Sequence, residues 1–366
     1  MKKIKKNYHF LMKKIRKGFG LVLFISLYLT QLLVITTNQF IFKEKINKFC
    51  YILPLILILI IVVLIISSLI ISELLYCSVY YIIGLYMGYL LYAFQMSILI
   101  RLINHFFPLP FIINFFIQYI IPLIISIYGF INARLTYVEN IILKYPGFKG
   151  KIKILHLSDI HLGAIHQKNS IIRIVQEIRQ LDPDVVVITG DMADGSLQVK
   201  TEWLQPFDNL NIPILFITGN HEELNPKKEM IDAVQKTKIK YIGQHGTFKY
   251  KGVNFIGEDY GYDLRKCLVN VKQEEGVPNV LLSHVPNLKP KELGKYNIFL
   301  FLAGHTHGGQ LFPLHIITYF ANACFSGLYS DKNKEHFIYV TDGVNNALAP
   351  MRVGSKRVFP IITIEG

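Results

Sequence analysis

The sequence predicts a layered α/β domain preceded by an all-α, multi-span transmembrane region. Three observations carry that expectation. Of the 366 residues, 52% are hydrophobic and 13% aromatic, and mean hydropathy is positive, too apolar for a soluble domain of this length. The apolar residues are concentrated before Lys151, in four long runs almost without charge. After Lys151 the pattern changes to short β-type runs separated by helical stretches and glycine-rich turns.

Residues 1–18 form a basic segment, with eight Lys and Arg ahead of the first apolar run. Such a cluster suits the positive-inside rule and attraction to anionic lipid. Residues 19–135 hold the four runs, roughly Gly20 to Phe42, Tyr51 to Ser72, Leu74 to Ile100 and Leu109 to Ile131. Each is long enough to cross a hydrocarbon layer of ~30 Å as a helix, whereas a cleaved signal peptide would explain only the first. Four crossings from a cytoplasmic N-terminus return the chain to the cytoplasm, so a multi-pass protein of the cell membrane with a cytoplasmic C-terminal domain is expected. The loop carrying Lys43, Lys45 and Lys48 argues against that orientation, and one miscounted span would reverse it. Ionisable residues are nearly absent within the runs, Glu73 and Arg101 lying at their ends, so nothing resembles a transport path. The spans read as an anchor, or as a surface presenting a lipid.

Net charge is +14, which raises a nucleic-acid hypothesis. Position removes it. Residues 1–150 hold 15 basic side chains against 3 acidic, while residues 151–366 hold 24 against 22, so the second half is nearly neutral. No nucleic-acid partner is expected; the bilayer is. The four cysteines, Cys50, Cys77, Cys267 and Cys324, show no C-x-x-C spacing, so neither a disulfide scaffold nor a zinc knuckle is indicated.

Residues 136–150, ending in Lys144-Tyr145-Pro146-Gly147-Phe148-Lys149-Gly150, carry linker punctuation, and 151–366 is the expected domain. Its first run, Ile152 to Leu157, reads as a strand and delivers Asp159 and His161. Ser170 to Leu181 has apolar residues at helical spacing, and Asp184 to Ile188 then delivers Gly190-Asp191, completing a β-α-β unit. Pro213 to Ile217 ends in Gly219-Asn220-His221-Glu222, Val280 to Leu282 in Ser283-His284, and Ile298 to Ala303 in Gly304-His305-Thr306-His307. Taken singly, Asp191 reads as a helix cap, Asn220 as a turn residue and His284 as a core histidine. Five successive strand ends bearing Asp, Asn or His are improbable by chance, and ligands gather at the carboxyl ends of strands in such units.

Two Asp, one Asn and four His exceed what one small cation needs. Mixed imidazole and carboxylate donors without thiolate suit two divalent ions, with Mn the first choice and Fe, Zn or Mg the alternatives. A carboxylate can bridge two metals, and Asp191, in the middle of the set, is the obvious bridge.

Asp159-x-His161, Gly190-Asp191, Gly219-Asn220-His221-Glu222, His284 and Gly304-His305-x-His307 together resemble the five-block signature of the calcineurin-like metallophosphoesterases. The longer forms Leu157 to Gly163 and Gly304 to Gln310 are similar to a bacterial membrane-associated, YkuE-like branch. The resemblance covers nearly all of residues 151–366. It implies a four-layer α-β-β-α sandwich, with Asp159, His161 and His307 on one metal, Asn220, His284 and His305 on the other, and Asp191 between them. It further implies that His221 is a catalytic histidine that holds no metal, neutralising phosphoryl oxygens and protonating the leaving group. Attack by a metal-bridging hydroxide is the implied reaction. Lowering the pKa of water from 15.7 to about 7 corresponds to ~12 kcal/mol, which explains why no Ser or Cys nucleophile is needed.

The expected function is hydrolysis of a phosphodiester or pyrophosphate bond at the bilayer surface, on a lipid-linked substrate such as a UDP-diacylglucosamine-type envelope precursor. A cell-wall or nucleotide phosphodiesterase with the helices as mere anchor is the alternative, and an inactive membrane scaffold a third. Arg352, in Ala349-Pro350-Met351-Arg352, reads as a phosphate contact or a surface salt bridge, and Gln310 as a substrate contact or an orienter of a ligand histidine. Glu258 and Asp259 stand beside them as candidates. Oligomeric state is open.

Overall fold

A computed structural model describes residues 19–42, 49–224, 227–270 and 274–366. The basic segment 1–18 and the Lys43–Lys48 loop lie outside them. The chain divides into two compact units, one running up to Ile131 and including Leu348–Met351, the other comprising Asn132–Ala347 and Arg352–Gly366.

The first unit is helical, with a helix in each of the four apolar runs: α1 (Phe19–Ile41), α2 (Phe49–Ile71), α3 (Glu73–Phe106) and α4 (Phe111–Asn132), the last containing a π-helical turn at Phe116–Ile120. Ser72 caps α3 by accepting from the Leu75 amide at 3.1 Å. Pro108 and Pro110 interrupt the helical ladder between α3 and α4. Among the described residues two helices, Glu73–Phe106 and Phe111–Asn132, are long and apolar enough to cross a membrane, and Ile52–Ser68 is a shorter apolar stretch. The few polar side chains pair between helices. Arg101 donates to Thr37 and Thr36 at 2.8 Å each, Ser97 exchanges bonds with Gln118, and Asn104 donates to Asn114 at 2.8 Å. Such pairs hold helices together where water is absent.

The second unit is built on two six-stranded sheets. Sheet one runs β1 (Thr136–Lys144), β12 (Arg357–Glu365), β2 (Lys151–Leu157), β3 (Val185–Thr189), β4 (Ile214–Ile217) and β5 (Lys240–Tyr241). Sheet two runs β10 (Gly327–Ser330), β11 (Phe337–Val340), β9 (Leu300–Ala303), β8 (Asn279–Ser283), β7 (Val253–Glu258) and β6 (Gly246–Tyr250). The inner faces meet in one core in which Ile154, Val187 and Leu215 of sheet one join Phe255, Leu282 and Leu302 of sheet two. Their alternates are buried too, as strands covered on both faces require. On the outer side of sheet two, Ile256, Leu281 and Phe301 meet Leu264 and Leu268 of α7 (Leu264–Asn270). Sheet one is covered by the crossover helix α5 (Lys168–Leu181), which buries Ile171, Ile174, Val175 and Ile178, four of the five apolar residues at helical spacing, while Leu181 is half-buried. These are the four layers expected. A further helix, α6 (Lys227–Gln235), follows β4.

The linker expectation needs correcting. Residues 136–144 are strand β1, paired in parallel with β12 over nine positions from Thr136↔Arg357 to Lys144↔Glu365. The α/β unit therefore starts near Asn132, and only the Tyr145–Gly150 turn remains of the linker. β1 was hidden because its partner lies more than two hundred residues away, at the other end of the chain.

Candidate metal centre

β2, β3 and β4 are parallel neighbours in sheet one, and β8 and β9 are parallel neighbours in sheet two. Their carboxyl ends deliver Asp159 and His161, Asp191, Asn220 and His221, His284, and His305 and His307 respectively. Backbone bonds between the loops fix the rim. The Asp159 amide donates to Gly190 O at 3.2 Å, His161 to Asp191 O at 2.9 Å, and Gly304 to His284 O at 3.0 Å. His284 Nδ1 donates to Thr189 O at 2.8 Å, tying sheet two to sheet one and leaving Nε2 directed at the site.

All seven expected ligands come together, in two groups. Asp159 Oδ1 lies 3.3 Å from His307 Nε2 and 3.8 Å from His161 Nε2, and the two imidazole Nε2 atoms are 3.0 Å apart. In the other group Asn220 Oδ1 lies 3.0 Å from His284 Nε2 and 2.9 Å from His305 Nδ1. Asp191 stands between them, with Oδ2 3.1 Å from His284 Nε2 and 4.0 Å from His161 Nε2. The donors fit divalent cations. Asp159 Oδ1 is wholly buried without a hydrogen-bond partner, a costly state for a carboxylate oxygen unless an ion faces it. His161 and His307 meet nitrogen to nitrogen, an arrangement that suits a shared cation better than a hydrogen bond.

The backbone is strained to reach this geometry. Asp159 (φ 56°), His161 (φ 50°), Asp191 (φ 51°), His305 (φ 74°) and His307 (φ 52°) all sit in the left-handed region, where a non-glycine residue costs on the order of 1–3 kcal/mol. Gly190 (φ 91°) shares it: a Cβ there would strike the Gly219 backbone. The surrounding sheets maintain this conformation.

Burial disfavours charge throughout, yet Asp191 and Asp159 hold the His284 imidazolium up to about 9. Burial alone would raise Asp159, but His307, His161 and His284 hold it well below the usual carboxylate range. His307 is pushed down to about 3, chiefly by burial, with Asp159 offsetting only part of that. Metal binding requires neutral imidazole beside an ionised carboxylate, the state His307 and Asp159 hold, whereas His284 must give up a proton to bind.

His221 stands beside the two groups, half-buried like Asn220, His305 and His307. Its side chain is 25% exposed, Nδ1 donates to Asp194 O at 2.9 Å, and Nε2 lies 3.9 Å from Asp191 Oδ2. Its amide donates to Asp191 Oδ1 at 2.8 Å. Glu222, whose role the sequence left unassigned, is fully buried and accepts from the amides of Asp191 (3.0 Å), Ala193 (2.8 Å) and Gly219 (2.6 Å). It clamps the loop of the central carboxylate. Its place beside Asn220-His221 was the available signal.

Two substrate-contact expectations give way. Arg352 is 0% exposed and bonds Asn346 Oδ1, Ser355 Oγ and the carbonyls of His307, Asp342, Gly343 and Asn345. Every arm of the guanidinium is engaged, so it positions the His307 loop and neither touches substrate nor forms a surface salt bridge. Gln310 bonds the Ala347 amide and carbonyl, both at 2.9 Å, bracing the same loop. Glu258 is engaged by His245 Nδ1 at 2.7 Å, and Asp259 accepts from the Thr218 amide at 2.9 Å and from the Tyr241 hydroxyl.

Residues 152–309 match the family model described as calcineurin-like phosphoesterase. A transmembrane protein with metallophosphoesterase domain from Danio rerio is 31% identical over 272 residues, covering 67% of this chain and 61% of that one. Its counterpart from Bos taurus is 31% identical over 261 residues, covering 64% and 58%. An uncharacterized metallophosphoesterase of Helicobacter pylori is 28% identical over 227 residues, covering 57% and 60%. The chain thus spans about half to three-fifths of the length of the first of the curated relatives it matches.

Proposed function

We propose that this chain, which carries a calcineurin-like metallophosphoesterase domain, is a membrane-anchored hydrolase of a phosphodiester or pyrophosphate bond in a lipid-linked substrate. The observation that carries the reaction class is the pair of donor groups sharing Asp191, with His221 beside them. Asp159, His161 and His307 would hold one cation, Asn220, His284 and His305 a second, and Asp191 both. Bound there, two divalent cations, Mn by first choice, would supply Lewis acidity toward the phosphoryl oxygens and a lowered pKa for water.

The chain's own residues do the rest. Asp194 O fixes the His221 tautomer through Nδ1, so Nε2 is the atom that meets substrate. From there it would neutralise a phosphoryl oxygen and carry a proton to the leaving group. Glu222, Arg352 and Gln310 hold the ligand loops so that the donors lose little freedom on binding.

The lipid-linked substrate, four membrane crossings and a cytoplasmic site belong to the same proposal. Membrane association, on which all three depend, is supported by the apolar helices and by relatives described as transmembrane proteins. A UDP-diacylglucosamine-type compound is the first candidate. The test uses the full chain, loaded with Mn²⁺ or stripped with chelator, on a soluble aryl phosphodiester, on nucleotides and on a diacylated nucleotide-sugar in vesicles. Metal-dependent turnover with kcat/KM at least tenfold higher on the lipid is expected. Equal or lower efficiency on the lipid overturns the substrate assignment, and metal-independent turnover overturns the reaction class.

A further inference from the structure

Helix α8 (Leu314–Ala321), Leu-His-Ile-Ile-Thr-Tyr-Phe-Ala, has its polarity reversed. On a surface helix of a water-soluble domain the apolar side chains turn inward. Here the half-buried positions are His315 and Thr318, its imidazole and its lone aliphatic hydroxyl, while Leu314, Ile316, Ile317, Tyr319 and Phe320 are exposed. Ile317 is 69% and Phe320 81% exposed, and no residue of the helix is buried. Phe312, just before it, extends the patch. At 100° per residue the outward positions cover an arc of about 220°.

We infer that α8 is a membrane-interface element of the catalytic unit, inserted into the lipid bilayer beside the metal centre. The breadth of the arc selects the occupant. A groove on a protein matches one stripe of a helix, whereas hydrocarbon accepts apolar side chains over most of the circumference. The helix carries no Asp, Glu, Lys or Arg that would have to be desolvated. A bilayer is also within reach of this chain, because two of its other helices are long and apolar enough to cross one. With such an anchor in the same molecule the local lipid concentration is high, and a helix of eight residues need supply little affinity of its own.

The position gives the insertion a purpose. α8 begins seven residues after His307, and the intervening turn is fixed: the Leu311 amide donates to Gly309 O at 2.6 Å, Phe312 to Val353 O at 2.9 Å, and Leu314 to Leu311 O at 2.8 Å. Gly309 (φ 73°) lies so close to His315 that a Cβ would fall 2.2 Å from its Cα. The ligand loop and the helix therefore move as one piece. Seating α8 among acyl chains would hold the metal centre at the height of lipid headgroups, where the phosphate of an amphiphile lies. This rests on the membrane reading above but not on any one lipid.

The test places the full-length protein in nanodiscs of phosphatidylcholine and phosphatidylglycerol, with and without bromine on the acyl chains. The parent has one tryptophan, Trp203, which is buried and serves as internal reference. Phe320→Trp adds an indole at the tip of α8. Brominated lipid is expected to quench the added emission by at least half and the Trp203 emission by less than a tenth. Quenching of the added indole by aqueous iodide and not by bromine overturns the inference. So does a blue-shifted, bromine-insensitive indole together with a dimeric mass, which would assign the patch to a second copy. In a separate arm Ile317→Glu with Phe320→Glu should lower hydrolysis of a vesicle-embedded lipid phosphate at least tenfold, while turnover of a soluble aryl phosphodiester stays within twofold. An unchanged lipid rate with no bromine quenching sinks the inference and leaves the substrate proposal standing. Bromine quenching in a protein inactive on every lipid tried sinks the substrate proposal and leaves α8 in the bilayer.

Discussion

The Nε2 atoms of His161 and His307 lie 3.0 Å apart, though 146 residues separate them in the chain. His161 follows a strand of sheet one and His307 a strand of sheet two, so the sandwich itself sets this distance. Both rings also approach Asp159 Oδ1. A cation at their common focus would relieve two nitrogens and an unpaired oxygen at once.

Asp191→Asn keeps the side-chain volume but removes the charge shared by both groups. Metal content by mass spectrometry should fall below half occupancy at both positions, and kcat by at least 10²-fold, the scale on which removal of a charge-stabilising group is felt. Loss of one ion with full retention of the other would show that Asp191 serves a single metal.

His221→Ala should leave both metals in place while kcat falls by roughly 10²–10⁴-fold, the range for removing a general acid. Metal loss in this variant would make His221 a ligand, a role its Nε2 could fill from 3.9 Å off Asp191 Oδ2 and beside His161.

Arg352→Lys distinguishes a positioning role from substrate contact. Lysine cannot reach acceptors spread over five residues beyond His307, so carbonyls now paired inside the unit lose their donors. A stability loss of about 2–5 kcal/mol in denaturant unfolding is expected, with weaker metal retention and KM for a soluble ester within twofold. A large rise in KM at unchanged stability would restore the substrate contact.

Glu222→Gln replaces one acceptor oxygen by an amide that faces backbone N–H groups. About 1–3 kcal/mol of stability should be lost, and the midpoint for metal binding should move to higher concentration as the Asp191 loop loosens. Unchanged unfolding and metal titrations would reduce Glu222 to a bystander.

Metal binding should strengthen with rising pH. Without metal, the folded-state pKa of His284 is raised to about 9 from an ordinary 6.5, despite its burial, by Asp191 and Asp159. Its proton therefore stabilises the metal-free fold fully below pH 6.5, and that contribution fades as pH climbs through 9. A cation must displace the same proton, so apparent affinity at the site of Asn220, His284 and His305 should rise about tenfold per pH unit from 7 toward 9 and then level off. Isothermal titration across that range reads the slope, and a flat profile would remove His284 from the ligand set.

Much of the site was legible because its donors follow strands that are themselves legible. β2, β3, β4, β8 and β9 are short apolar runs buried on both faces, and a buried parallel strand has only its ends at which to place a polar group. The spacing of Asp159 and His161, or of His305 and His307, is thus a local signature of a site assembled at long range. Arg352 was misread for the complementary reason: its local sequence resembles an exposed anion clamp, and only the fold shows six acceptors closing around it.

By itself, then, the sequence determined the apolar helices, the layered domain and the seven candidate donors, since each is written in composition or in a period of a few residues. Tertiary structure decided the pairing of β1 with β12, the burial of Arg352, the distances among the donors and the outward turn of α8. These depend on which distant segments exclude water from one another, and no local pattern encodes that.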